Sequence, residues 1–236
     1  MKGILFILLL TFLAMQVQAQ KKRNTTQQES NDFSGQYYQI QHRVLTHAIE
    51  YGDSPTAIAA IFNILAVMPG DTAIKDTLAM LYYNQNAFEQ ALRLGKEIID
   101  NTPGDKPAIL EIVAGSEQNL GLIKEALVSY EKLYGLSKDV GHAYIISTLQ
   151  YALKRYGECN LTLDIILKEA SDKSIRVNSG NGQMQLVPVN AAAYNIKGVV
   201  AVDMNQKELA MEYFLKALEI FPKFLLAASN FEQVKK

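Results

Sequence analysis

The chain has 236 residues, of which 49% are hydrophobic, and its 23 lysine and arginine residues nearly balance its 24 aspartate and glutamate residues. The formal net charge of −1 argues against a nucleic-acid binder, which usually carries a basic stripe, and against a protein held on a membrane by a basic cluster. The apolar content is sufficient for one sizeable core or for one extended array of packed elements.

Residues 1–19 are predicted to be an export signal. Lys2 gives a short positive start, an apolar run follows at residues 4–14, and Ala19 is a small residue suited to signal peptidase. The alternative is an uncleaved membrane anchor, but this run is much shorter than the roughly 20 apolar residues that a spanning helix needs. No cysteine lies near the junction, which argues against a lipid anchor. We therefore expect no stable membrane span and an exported protein, periplasmic in the first place, with outer-membrane association or secretion as alternatives.

Residues 20–36 are predicted to be a flexible leader. The segment is polar, rich in amides and almost free of aliphatic residues, so it cannot bury enough apolar surface to offset the entropy of ordering. From Tyr37 to residue 236 the apolar residues recur with helical periodicity. Cys159 is the only cysteine, so no internal disulfide can form in an oxidising compartment, and stability must come from helix packing.

A small residue recurs at nearly constant spacing along this helical region. The successive spacings are 34, 35, 33 and 51 residues, and the members are Ala57, Ala91, Ala126, Cys159 and Ala210. A period of about 34 residues is typical of repeated pairs of antiparallel helices, in which a small residue lets the two helices approach closely. The predicted units begin at Tyr38, Thr72, Pro107, Val140 and Ala191.

The final unit carries the most complete pattern of packing residues. Its members are Tyr194, Gly198, Ala210, Phe214, Ala217 and Pro222, and the second unit matches with Leu78, Ala79, Tyr82, Ala91, Gly95, Ile98 and Pro103. On these residues the chain from about Tyr38 onward resembles the tetratricopeptide repeat family. The resemblance implies an all-α superhelical solenoid of antiparallel helix pairs, with about five repeats and a capping helix at about residues 225–235. The chain departs from the family pattern at Leu45 and Lys197, and its fourth repeat is the weakest.

The long spacing after Cys159 indicates an insertion at about residues 174–190. Apolar and polar residues alternate there on both sides of a turn sequence at residues 179–182. We therefore predict a β-hairpin between the fourth and fifth repeats, with Asn190 as the N-cap of the next helix. An isolated hairpin is marginal in water, so its apolar face is expected to pack either on the array or on a partner.

No pattern of catalytic or cofactor-binding residues accompanies the repeats. His42 and His47 are five residues apart and do not share a helix face as a zinc pair would, and no phosphate-binding glycine loop or nucleophile elbow is present. Cys159 occupies the small-residue packing position, where an inert thiol is expected, although a nucleophilic role is the alternative. We therefore expect no enzyme activity, no cofactor and no metal.

The resemblance implies that the first helix of each repeat lines a concave groove that binds protein segments. The corresponding positions hold Gln39, His42, Thr46, Asp76, Met80, Tyr83, Glu111, Gln118, Tyr144, Thr148, Tyr151 and Asn195. This set is aromatic, amide-rich and mildly acidic, whereas family members that grip a C-terminal carboxylate use basic residues. A neutral or basic extended segment is therefore the expected partner. For Tyr144 and Tyr151, packing between repeats is an equally open alternative.

These observations predict a non-enzymatic protein–protein interaction module of the bacterial cell envelope, an adaptor or assembly factor that binds a partner segment in its groove. The alternative is a structural subunit of a larger envelope, secretion or surface-assembly complex, which would contact its partners through the hairpin or the ends of the array. The sequence leaves the partner's identity and the oligomeric state open.

Overall fold

A computed structural model describes residues 18, 20–23, 33–169, 172–179 and 182–236, so most of the predicted export signal and leader lies outside the described residues. The chain forms two compact units, which divide between Leu81 and Tyr82. No helix in the described part is long and apolar enough to cross a membrane.

The elements are helices joined by short turns, with one pair of strands late in the chain. Helix α1 covers residues 33–50, and it is followed by α2 (Ser54–Val67), α3 (Thr72–Asn84), α4 (Phe88–Asn101), α5 (Pro107–Asn119), α6 (Ile123–Ser137), α7 (Val140–Ala152) and α8 (Tyr156–Lys168). Strands β1 (Ser174–Asn178) and β2 (Met184–Pro188) come next, and then α9 (Val189–Asp203), α10 (Lys207–Ile220) and α11 (Leu225–Lys235). The all-α class of repeated helix pairs and the hairpin insertion are confirmed. Helix α1 begins at residue 33, before Tyr37, so the end of the predicted leader is helical.

The same turn closes the first helix of each of the five helix pairs in the described part of the chain. One residue in each turn has left-handed backbone geometry, with φ between 57° and 74°, and these residues are Gly52, Asn86, Gly121, Lys154 and Asn205. In each turn this residue and the next donate backbone hydrogen bonds to carbonyls three and five residues earlier, as in Gly121 to Gln118 and Leu122 to Glu117. This is the Schellman geometry that satisfies the last carbonyls of a helix. The repeat is therefore visible in the backbone as well as in the packing residues.

The five small residues at the shared repeat position are all fully buried: Ala57, Ala91, Ala126, Cys159 and Ala210. The first helix of the last pair also has a small residue where it meets the second helix, namely Gly198. A Cβ added there would lie 2.4 Å from Cε1 of Phe214. Any side chain at that position would collide with the ring. The sequence pattern of small and large residues is thus the pattern of helix contact.

Lys197, which departs from the family pattern, is buried with 7% of its surface exposed. Its ammonium lies 2.8 Å from Oδ1 of Asp164 and 5.3 Å from the centre of the Tyr213 ring. A buried ammonium needs such partners because burying one unpaired charge costs on the order of several kcal/mol. The departure is therefore compensated within the second unit.

The hairpin packs through one face on other elements of the second unit, to which it belongs. Its register pairs Ile175 with Val187 and Val177 with Gln185, and the two valines are buried. They form one apolar cluster with Ala191, Ala192, Ala217, Phe224 and Ala227. Of the two possibilities that the sequence left open, packing on the repeats accounts for this face.

Asn190 is not the N-cap of the helix that follows the hairpin, so that prediction is wrong. Helix α9 begins at Val189 with Pro188 before it, and the Val189 N–H donates to the carbonyl of Lys173 at 2.9 Å. Strand pairing therefore continues directly into the helix and leaves no free capping position. The Asn190 Oδ1 atom is buried in the first turn without a hydrogen-bond partner.

Candidate protein-binding surface

Two predicted groove positions of the second unit, Glu111 and Gln118, lie on α5, and a third, Tyr83, lies at the end of α3. Glu111, Gly115 and Gln118 follow one another at helical spacing, and they therefore share one face of α5. A Cβ added to Gly115 would lie 2.4 Å from the hydroxyl oxygen of Tyr83. The tyrosine hydroxyl thus lies directly on the backbone of α5. We call Tyr83, Glu111 and Gln118 the α5 surface.

Glu111 is the exposed charge of the α5 surface. Within the described residues its carboxylate makes no hydrogen bond and no ion pair. Burial and the nearby Glu111 carboxylate both raise the pKa of Tyr83, with burial the larger cause. The surface therefore combines a neutral phenol with an open negative charge at neutral pH.

Tyr130 supports the α5 surface from α6. Its hydroxyl donates to Oε1 of Gln118 at 3.1 Å and thereby orients the amide. Burial raises the pKa of Tyr130, and the neighbouring Tyr83 and Glu111 raise it further. Tyr130 was not among the predicted groove positions. Glycine at position 115, next to Ala114, was the available signal that a bulky ring lies against α5.

Glu117 on the same helix shows how a structural carboxylate differs from Glu111. It is only 2% exposed, and it accepts a hydrogen bond from Ser129 at 2.6 Å. Its other oxygen lies 2.9 Å from the Lys96 ammonium. Glu117 is thus fully occupied within the fold, whereas Glu111 is available to another molecule.

Helix α7 carries Tyr144, Thr148 and Tyr151, which are only partly exposed. Tyr144 packs on the apolar clusters to which Ile175 of the hairpin also belongs, and burial raises its pKa to about 12. The Thr148 hydroxyl donates to the carbonyl of Ile145 at 2.7 Å. Each of these groups already has an internal role, which favours the packing interpretation of Tyr144.

Tyr151 lies at the end of α7 with its ring 6.0 Å from that of Tyr156. The Asp203 carboxylate accepts a hydrogen bond from the Tyr156 hydroxyl at 3.0 Å. Burial, followed by the hydrogen bond and charge of Asp203, raises the pKa of Tyr151 to about 12. Both hydroxyls are therefore held by α9, and packing is favoured for Tyr151 as well.

Asn195 was predicted to line an open groove, but it is 4% exposed. Its Oδ1 atom accepts a hydrogen bond from Asn230 of α11 at 2.9 Å. The capping helix covers this position, so Asn195 joins two helices and is not part of an open surface.

The first unit carries the remaining predicted groove residues. Gln39, His42 and Thr46 are exposed on α1, and the Thr46 hydroxyl donates to the carbonyl of His42 at 2.9 Å. On α3, Met80 is exposed and Asp76 is partly buried. The exposed predicted positions on α1 are thus polar, whereas Met80 adds an exposed apolar side chain on α3.

Cys159 has the environment of a structural cysteine. It is fully buried, and its thiol donates to the carbonyl of Ser147 at 3.3 Å. Burial raises the pKa of the thiol to about 11, although the nearby Lys197 charge opposes this shift. A protonated, inaccessible thiol is a poor nucleophile. In the described ranges, no group of three or more His, Cys, Asp or Glu residues is placed to hold a metal ion.

A cavity of about 520 Å³ lies apart from the α5 surface, among α9, α10 and α11. Val199, Phe214 and Val234 contribute its apolar lining, and Lys207 is its charged lining residue. Since the lining contains no carboxylate, imidazole or thiol, it does not combine groups for acid–base or nucleophilic chemistry.

Comparison with known proteins identifies the fold. A family model for the tetratricopeptide repeat matches residues 191–224, and no curated protein matches the sequence. The crystal structure of YrrB, described as a TPR protein with an unusual peptide-binding site, is similar with a TM-score of 0.65 and 14% identity, over 80% of this chain and 88% of that chain. The crystal structure of MamA is similar with a TM-score of 0.63 and 15% identity, over 80% of this chain and 94% of that chain. A structure of MamA from AMB-1 gives a TM-score of 0.61 with 14% identity, over 81% and 94% of the two chains.

These similarities agree with the buried small residues and with the Schellman turn that recurs in every helix pair. The fold is one that other proteins use for protein–protein interaction. The chain thus has the fold of a tetratricopeptide repeat array, and its residues 191–224 match the model of that family.

Proposed function

We propose that this protein is a non-enzymatic interaction module whose α5 surface binds an extended, neutral or basic segment of a partner protein. The observation that carries the proposal is the exposed Glu111 carboxylate, which has no partner within the described residues and lies beside Tyr83. YrrB, a fold relative described as having an unusual peptide-binding site, supports peptide recognition as the class of function.

The chemistry of the α5 surface determines the preference. The Tyr83 ring offers rigid apolar contact area, and the Gln118 amide can pair with the backbone of an extended segment. The Glu111 carboxylate attracts an ammonium or guanidinium group and repels a carboxylate. A basic side chain flanked by apolar residues is therefore the best match, and a C-terminal carboxylate is disfavoured.

The test uses three linear peptides with one apolar framework and lysine, glutamine or glutamate at the same central position. Their binding to the full chain is measured by fluorescence anisotropy at low and high salt. The lysine peptide should bind best, and Glu111→Lys should weaken its binding by about tenfold, or about 1.4 kcal/mol. Glu219→Lys is the matched control, because Glu219 is also an exposed helical carboxylate but lies on α10.

If Glu111→Lys and Glu219→Lys lost equal affinity for the lysine peptide, the effect would come from the net charge of the protein. That result would contradict a local site at Glu111. Equal binding of the three peptides to the unaltered chain would also reject the α5 surface as a charge-selective site. Tyr83→Ala, checked for folding by circular dichroism, separates the aromatic contribution from the charge.

We also propose that the protein acts in the bacterial cell envelope, after export and cleavage behind Ala19. The basis is the sequence of residues 1–19, with its lysine, apolar run and small terminal residue. Mass measurement of the protein from a fractionated culture tests this. An envelope or external fraction whose N-terminus is Gln20 is expected, whereas cytoplasmic protein that retains Met1 would reject it.

A further inference from the structure

The inserted hairpin has two chemically different faces. The face that packs on other elements of the second unit carries Ile175, Val177, Gln185 and Val187. The opposite face carries Arg176 together with Met184 and Leu186, since neighbouring residues in a strand point to opposite sides. We call these last three residues the outer hairpin face.

Three contacts hold the hairpin in a fixed position. Val187 is fully buried in the apolar cluster. The Gln185 amide donates to the carbonyl of Lys223 at 2.5 Å and accepts from the Leu225 N–H at 3.2 Å. At the base of the hairpin, the Lys173 ammonium lies 2.5 Å from Oδ2 of Asp139. The outer hairpin face is therefore preorganised, so that a ligand binding there does not have to order the hairpin.

The outer hairpin face is apolar and basic at once. Leu186 is 63% exposed and Met184 is 61% exposed. Arg176 is exposed as well, and it makes no hydrogen bond or ion pair within the described part of the chain. A guanidinium group can hold a carboxylate through two parallel hydrogen bonds, which makes arginine the most selective side chain for this group.

Arg176 and Leu186 face each other across the two strands. The hydrogen bonds from Ser179 to Gln183 and from Val189 to Lys173 flank the ladder at odd-numbered residues. The pair Arg176 and Leu186 is therefore of the non-hydrogen-bonded type, in which facing side chains come closest. A positive charge and an exposed aliphatic group thus lie side by side on a fixed surface.

We propose that the outer hairpin face is a second docking surface, which binds a protein segment that carries a carboxylate next to apolar side chains. Charge complementarity with Arg176 selects the carboxylate, and Leu186 and Met184 receive the neighbouring apolar groups. This surface prefers the opposite charge to the α5 surface, so one chain can hold two different segments. The inference does not depend on binding at the α5 surface.

The test selects linear peptides from a random display library on the full chain. The pool is then counter-selected against Arg176→Glu, and against Arg93→Glu as the matched control. Arg93 is an exposed arginine on α4 that also makes no ion pair in the described ranges. Peptides that the unaltered chain and Arg93→Glu retain, and that Arg176→Glu loses, should be enriched in aspartate or glutamate beside apolar residues. Such a peptide should lose about tenfold or more in affinity in Arg176→Glu and in Leu186→Gln.

A direct charge exchange completes the test. Replacing the acidic residue of a selected peptide by lysine should restore its binding to Arg176→Glu. Absence of an acidic pool, or equal binding by Arg176→Glu and the unaltered chain, would overturn the proposal. Binding retained in Glu111→Lys shows that the two surfaces are separate.

Other occupants would also overturn the proposal. A dimer in light scattering that dissociates in Leu186→Gln would assign the face to a second copy of the chain. Binding to anionic lipid vesicles that is lost in Arg176→Glu, without any acidic peptide binding, would assign it to a lipid surface. Since Arg176 and Leu186 are exposed, all these variants are expected to fold, and thermal unfolding monitors this.

Discussion

The side-chain amide of Gln185 accepts a hydrogen bond from the backbone N–H of Leu225, 40 residues later, at 3.2 Å. The same amide donates to the carbonyl of Lys223 at 2.5 Å. Leu225 is the first residue of α11, whose own N-cap residue, Phe224, provides no capping side chain. The inserted hairpin therefore supplies the cap of the terminal helix, and this joins two features that the sequence presents as separate.

Gln185→Ala should loosen α11 because it removes both hydrogen bonds at the start of that helix. The expected loss is about 1–2 kcal/mol, the usual cost of deleting a helix cap. In Gln185→Ala, amide hydrogen exchange in α11 should become faster than in the unaltered chain, whereas exchange in α5 should not change. Met184→Ala, an exposed change in the same strand, serves as control and should leave α11 protected. Equal protection of α11 in the two variants would show that the Gln185 contacts do not stabilise the helix.

Lys154→Gly should stabilise the protein. Lys154 has a φ of 57° at the turn position where the first and third repeats have glycine. A left-handed residue with a side chain costs roughly 1–2 kcal/mol, and the greater entropy of an unfolded glycine offsets part of this. A net gain of about 0.5–1 kcal/mol is expected in urea unfolding. Lys168→Gly, in the last turn of α8, should instead destabilise the protein, and a loss in both variants would contradict strain at position 154.

Gly115→Ala should disturb the α5 surface, because the new Cβ would lie 2.4 Å from the Tyr83 hydroxyl oxygen. Overpacking of this kind costs about 1–3 kcal/mol. Gly135→Ala is the matched control, since nothing lies within 4 Å of a Cβ there and alanine is the better helix former. Unfolding in urea should show a loss for the first variant and a small gain for the second. The cost at position 115 should shrink in a Tyr83→Phe background, and an unchanged cost would place the clash elsewhere.

Cys159 should make the protein less stable at alkaline pH. Its pKa is raised from 9.0 to about 11 in the folded state, so folding favours the protonated thiol. The resulting stability is complete below pH 9 and is lost as the pH rises toward 11, by roughly 2–3 kcal/mol. Cys159→Ala should remove this part of the slope. Alanine suits the site because the other four repeats have alanine at the same buried position.

The measurement is urea unfolding of both proteins below pH 9 and close to pH 11. Tyr144 and Tyr151, with pKa values raised to about 12, destabilise both proteins in the same direction from pH 10 upward. Only the difference between the two proteins therefore reports on Cys159. Parallel pH profiles would contradict a protonated, buried thiol, as would rapid labelling of Cys159 in the native protein.

The sequence alone determined the repeat and the hairpin. Helix pairing is a local property, because a small residue such as Ala91 and a proline such as Pro103 act on their own helix and its immediate neighbour. The recurrence of these residues predicted helices that begin at Thr72, Pro107 and Val140, where the structure has them. The recurring left-handed turn was not predicted, because Gly, Asn and Lys all occupy it and no single residue type marks it.

Only the tertiary structure decided which predicted groove residues are open. A position in a repeat fixes how a side chain leaves its own helix, but exposure depends on elements that arrive from elsewhere in the chain. Helix α11 covers Asn195, and the clusters that contain Ile175 of the hairpin enclose Tyr144, whereas Glu111 remains exposed. The same physical reason explains Asn190, which lies inside the first turn of α9 because the helix begins at Val189, directly after β2. Residue type and spacing therefore determine the repeat, while long-range packing determines the surface it offers.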